Sequence, residues 1–128
     1  MTVLALTPIE LTPGGGSPLD LLAELTASAL GSNTGITFPN TGHEVVFVQT
    51  GSAGSTTVTS QIGTTIEGQT VPGVAPASAQ AASKILAYGP YPSAYDSPQS
   101  DGEEIVEVDF GTPASVTGVI VVRQTGVY

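Results

Sequence analysis

From residue 34 onward, short runs rich in β-branched and aromatic residues recur between clusters of Gly, Pro, Asn and Ser. That pattern predicts strands over 34–38, 44–50, 55–62, 64–71, 84–88, 103–110 and 115–124, with Pro39-Asn40-Thr41-Gly42 and Gly51-Ser52-Ala53-Gly54 as turns between the first three. Many short strands between turns point to a mostly β sandwich or barrel. In 103–110, Glu104, Val106, Val108 and Phe110 fall on one face, and Glu103, Ile105, Glu107 and Asp109 on the other, because side chains alternate along a strand. The first face is expected to be dry and the second wet. Residues 116–122 are apolar on both faces, which places them mid-sheet or beneath a second layer. With Gly111-Thr112-Pro113-Ala114 between them, 103–110 and 115–124 read as a terminal hairpin.

The first thirty residues follow different patterns. Over 18–30, Ser17 as N-cap, Pro18 at the first helical position, Asp20 in the first turn and Gly31 at the exit describe a short helix. Leu19, Leu21, Ala23, Leu25, Ala27 and Ala29 alternate as a half-buried strand would. Local signals favour the helix. Upstream, small apolar residues mix with Thr, Pro and Gly and end in Pro13-Gly14-Gly15-Gly16-Ser17-Pro18. Consecutive glycines lose much conformational entropy on ordering, and the prolines exclude a helix or central strand. Residues 1–17 therefore read as an extended arm on a hinge, ahead of one β domain over 18–128. Val3, Leu4, Leu6, Ile9 and Leu11 are too apolar for an idle linker and predict docking, on the same domain or on a partner; a frayed terminus is the plain alternative. Residues 68–83 are nearly all Gly, Pro, Ala, Ser, Gln and Val, without a period, and read as a long loop.

Composition narrows the function. A chain of 128 residues closes one hydrophobic core but not two. Only 10% of residues are charged, so the surface is built from Ser, Thr, Gln, Asn and Gly. Eleven acids stand against Lys84 and Arg123, a net charge of −9. Nucleic acid would have to be held almost without cations, so it is excluded as a partner. Anionic membrane surfaces are disfavoured by the same sign. The absence of cysteine removes disulfides, thiolate metal sites and a cysteine nucleophile. Met1-Thr2-Val3-Leu4-Ala5-Leu6-Thr7-Pro8 has neither the basic start nor the long apolar run of a signal peptide or membrane span, which points to synthesis in a cytoplasm.

No candidate chemistry outweighs its structural reading. His43 is the only histidine, and no Gly-x-Ser-x-Gly or other nucleophile motif accompanies it. The acids Asp96, Asp101, Glu103, Glu104, Glu107 and Asp109 offer oxygens for Ca²⁺, but most continue along a strand instead of circling a sharp glycine turn. They read as a solvated edge that discourages aggregation. Paired acids also suit glycoside cleavage, but that chemistry wants an aromatic-lined cleft, and the chain has no Trp. No catalytic residue, metal or cofactor is expected. In Gly89-Pro90-Tyr91-Pro92-Ser93-Ala94-Tyr95, two tyrosines share a proline-stiffened loop. They read either as anchors for a protein or sugar or as a corner capping the core.

Asn40-Thr41-Gly42-His43-Glu44-Val45-Val46-Phe47-Val48, Ser55-Thr56-Thr57-Val58-Thr59, Gly89-Pro90-Tyr91-Pro92-Ser93-Ala94-Tyr95, Glu104-Ile105-Val106-Glu107-Val108 and Val116-Thr117-Gly118-Val119-Ile120-Val121-Val122 follow one another in order. Together they resemble the head decoration (capsid cement) proteins of tailed phages. The resemblance implies an antiparallel β-sandwich or jelly-roll-like module on the capsid surface, often a homotrimer at threefold positions, that fastens major capsid (coat) protein subunits. It implies that the N-terminal arm reaches a neighbouring subunit, and it turns 18–30 toward strand. A small carbohydrate-binding module of a virion fibre or surface protein, stacking sugars on Tyr91 and Tyr95, is the alternative.

Overall fold

The computed structural model describes residues 3–11, 18–52, 54–63, 65–75, 79–98 and 104–124. The expected N-cap Ser17, the glycine hinge at 14–16 and the acids Asp101 and Glu103 lie outside them. In chain order the elements are β1 (Val3–Ala5), β2 (Ile9–Glu10), α1 (Leu21–Ala27), β3 (Gly35–Pro39), β4 (Glu44–Thr50), β5 (Val58–Ser60), β6 (Thr65–Ile66), β7 (Gln69–Thr70), β8 (Ile85–Tyr88), β9 (Ser97–Pro98), β10 (Glu104–Phe110) and β11 (Val116–Arg123).

Period-two alternation sorts the strand side chains into a shared interior. Ile36 and Phe38 of β3, Val58 of β5, and Val106, Val108 and Phe110 of β10 form one wall. Val46 and Val48 of β4 with Val119 and Val121 of β11 form the other. Each such side chain removed from water contributes about 1.5–3 kcal/mol. The walls belong to two sheets, one ordered β1-β3-β10-β5 with β9 also beside β10, the other β2-β11-β4-β8. The mostly β, sandwich-like architecture matches the sequence pattern.

Two expectations are corrected. The sheets are mixed, not purely antiparallel, because β1 pairs parallel with β3 and β2 parallel with β11. β10 and β11 do not form a hairpin: β10 lies between β3 and β5, while β11 lies between β2 and β4 in the opposite sheet. A short 3₁₀ turn (Pro113–Ser115) carries the chain from one sheet to the other. Across the two sheets, β3 pairs β10 and β4 pairs β11.

Residues 18–30 contain a helix, against the strand that the resemblance implies. Its N-cap is Asp20 rather than Ser17, and the Asp20 carboxylate accepts from Ala23 N at 3.2 Å. Leu25 is buried with Ile120 and Val122 on the outer face of β11, flanked by Ile9, Leu19, Leu21 and Phe47. This second cluster explains why β11 is apolar on both faces. Gly118 permits the approach, since a Cβ there would lie 2.9 Å from the Leu25 carbonyl carbon. Of the expected strand at 64–71, only a small hairpin forms, with Glu67 and Gly68 at φ 51° and 78° in its turn. The long 68–83 segment is tied to β5 and its approach by bridges from Val74 to Ser60 and from Gln80 to Thr56.

Candidate functional site

Residues 3–11 run along one side of the sandwich and stitch its sheets together. Leu6 N donates to Thr37 O at 2.8 Å beside β3, and Leu11 N donates to Arg123 O at 2.9 Å beside β11. Leu4 and Leu6 pack against the main core, and Ile9 against the α1 cluster. Val3 and Leu11, at the two ends, are 39% and 37% exposed. This part of the expected arm therefore docks on its own domain, and three of its five apolar side chains are partly buried there. A cleft of about 240 Å³ opens where the segment leaves β3, lined by Ala5, Leu6 and Thr7 with Thr37, Pro39 and Ile105.

The tyrosine loop forms the corner. Tyr91 is only 5% exposed, with its ring 5.8 Å from Phe38 and 5.3 Å edge-on from Tyr95. Its hydroxyl shares a 3.0 Å hydrogen bond with the Ser60 hydroxyl. Burial pushes the Tyr91 hydroxyl above its ordinary value, while the Ser60 bond works against that rise. Asn40 Nδ2 donates to Tyr91 O at 3.1 Å and to Asp96 Oδ1, which fixes the loop to the β3–β4 turn. Tyr95 is half-buried against the core. Tyr91 is thus not an exposed anchor.

At the start of β4, Glu44 is fully buried. It accepts from Thr41 N at 2.7 Å, Thr41 Oγ1 at 2.8 Å and His43 N at 3.2 Å, and pairs with Arg123 Nε. Burial pushes this carboxyl up, but the bonds from Thr41 and Arg123 together outweigh it and hold Glu44 below the usual carboxylate range. One of the chain's two cations is therefore engaged inside the fold. His43 itself is exposed, and among the described residues nothing hydrogen-bonds its imidazole.

The acids of β10 occupy a central strand, not the edge expected of them. Glu107 lies opposite Thr37, and Asp109 between Gly35 and Thr59. Asp109 Oδ2 accepts from Gln61 Nε2 at 2.8 Å, while Oδ1 is buried without a partner among the described residues. Asp109 packs on Gly35, where a Cβ would meet its carboxylate and lie 2.8 Å from Val108 O. Burial, and then the Asp109 carboxylate beside it, push Glu107 up to about 7. The described residues hold no cluster of three His, Cys, Asp or Glu side chains able to share a metal ion. Nor do they form a helix long and apolar enough to cross a membrane.

The exposed apolar residues include one that the sequence reading does not single out. Ile85 of β8, the last strand of its sheet, is 50% exposed, with Ala87 on the same face, while Leu86 and Tyr88 on the other face are half-buried. The β8 sequence, ILAY, resembles that of an interior strand, so periodicity carries no signal for its edge position. No known protein family, curated protein or solved structure matches this chain.

Proposed function

We propose that the chain is a structural virion protein, without catalytic activity, that binds the exterior of a phage capsid and reinforces contacts between coat subunits. The observation that supports this most is the division of labour among its side chains. Tyr91 and Arg123 serve the interior, while Val3 and Leu11 stay partly exposed at the ends of the segment that stitches the sheets. A decoration protein needs a rigid body, a few outward apolar contacts and many copies whose small energies add into avidity. A net charge of −9 keeps free copies soluble and complements basic patches on a coat protein. On this reading the partner is the major capsid protein, and three copies gather at threefold positions, as the resemblance implies. The carbohydrate alternative needs Tyr91 and Tyr95 as stacking platforms, and the burial of Tyr91 counts against it.

The test is reinforcement itself. Empty shells of the phage that encodes the chain are heated with and without it, and shell disruption is followed by light scattering. A rise in disruption temperature that saturates with added protein supports the proposal. An unchanged temperature at saturating protein contradicts it.

A further inference from the structure

We infer that the free edge of β8 is a self-association site, where two copies of this chain join their four-stranded sheets by antiparallel pairing of β8 with β8. The inference does not rest on the decoration reading.

The geometry begins with Thr50 N, which donates to Lys84 O at 2.8 Å. Thr50 and Lys84 are thus a hydrogen-bonded pair, and in an antiparallel ladder such pairs alternate. Given the register Val48 to Leu86 and Val46 to Tyr88, Leu86 and Tyr88 turn their backbone groups toward β4. Ile85 and Ala87 turn theirs away, and among the described residues no strand meets them there. Natural edges are commonly guarded by charge, proline or a bulge. Ile85 to Tyr88 carry none of these, with Lys84 standing just before the strand, and the outward side chains, Ile85 and Ala87, are both exposed.

Register and charge select a second copy as the occupant. About a twofold axis at Leu86, Ile85 of one copy falls opposite Ala87 of the other, so both residues exchange N–H···O bonds with their counterparts and a large side chain lies beside a small one. In this register Lys84 faces Tyr88 of the other copy, not another lysine. Two chains of charge −9 repel wherever their acids meet. Residues 68–95 contain no Asp or Glu, and the outward β4 neighbours of β8, Phe47 and Gln49, are uncharged. The β8 edge thus lets two acidic copies approach without opposing carboxylates.

The discriminating variant is Ala87→Pro. It deletes an N–H that points away from β4, a position where an edge strand tolerates proline, so the β4–β8 ladder stays intact. Mass is measured by light scattering from about 1 to 200 µM for the natural chain and the variant, with near-ultraviolet circular dichroism as the check on folding and amide hydrogen exchange at Ile85. The inference predicts a mass for the natural chain that doubles with concentration, half that mass for a folded Ala87→Pro variant at the top concentration, and slowing of Ile85 exchange as the mass doubles. Equal masses for the two proteins, or no rise in mass together with equally fast Ile85 exchange throughout, would overturn it. If Ala87→Pro fails to fold, Ile85→Lys serves in the same comparison, with the same two outcomes.

Discussion

Replacing Glu107 by glutamine is expected to stabilise the protein above neutral pH and to leave it nearly unchanged in acid. Glu107 is half-buried on central β10, beside Asp109, and its carboxyl is raised from 4.5 to about 7. A group raised in the folded state holds its proton more tightly there than in the unfolded chain. Its favourable contribution is complete below about 4.5 and is lost as pH rises through about 7. At about 1.4 kcal/mol per pH unit the full rise corresponds to about 3 kcal/mol, and partial exposure reduces this to about 1–2 kcal/mol. Glutamine keeps the shape and the donor of the protonated acid and never ionises. The melting temperature of Glu107→Gln is therefore expected to exceed that of the natural protein by about 3–8 °C at pH 8.5. By pH 4 the difference closes. Thermal melts monitored by circular dichroism at half-unit pH steps measure this directly. A gap that does not vary with pH, or a variant less stable at pH 8.5, would refute the raised Glu107 carboxyl.

Glu44→Ala strands the Arg123 guanidinium and is expected to cost about 2–4 kcal/mol in urea unfolding at pH 7. Because the Glu44 carboxyl is held low, its contribution is present above the ordinary carboxylate range and fades as pH falls through the folded value. The variant and the natural protein should therefore converge in stability in strong acid. Gly118→Ala drives a methyl group into the Leu25 carbonyl and is expected to cost about 1–3 kcal/mol, with faster amide exchange in α1 as the local sign. Tyr91→Phe removes the buried bond to Ser60 and is expected to cost about 0.5–2 kcal/mol by chemical denaturation; pairing it with Ser60→Ala in a double-mutant cycle isolates that bond.

Period-two alternation made the strands themselves legible. It placed Val106, Val108 and Phe110 on the dry side of β10, and it marked β11 as covered on both faces. Alternation says which way a side chain points, not which strand lies alongside. That is why β10 and β11, adjacent in sequence, read as a hairpin although they sit in opposite sheets. The same gap hides the ion pair of Glu44 and Arg123, 79 residues apart, which depends on the register of β4 against β11. It hides the open edge of β8 as well. In the N-terminal segment, composition offered docking of Val3, Leu4, Leu6, Ile9 and Leu11 on the domain or on a partner, against a frayed terminus. Their partners on β3 and β11 follow only from the folded chain. For residues 21–27 hydrophobicity left helix and strand nearly balanced, and the local signals that favoured a helix placed its cap at Ser17, three residues before the Asp20 cap that the fold uses.

The most direct test of the capsid-binding account is co-sedimentation of the purified protein with expanded and unexpanded shells of the phage that encodes it, alongside a Val3→Asp/Leu11→Asp double variant. The account predicts saturable binding to expanded shells, at a fixed number of copies per shell, that weakens in the double variant. Failure of the natural protein to sediment with either shell, at concentrations up to about 100 µM, where even weak sites fill, would contradict it.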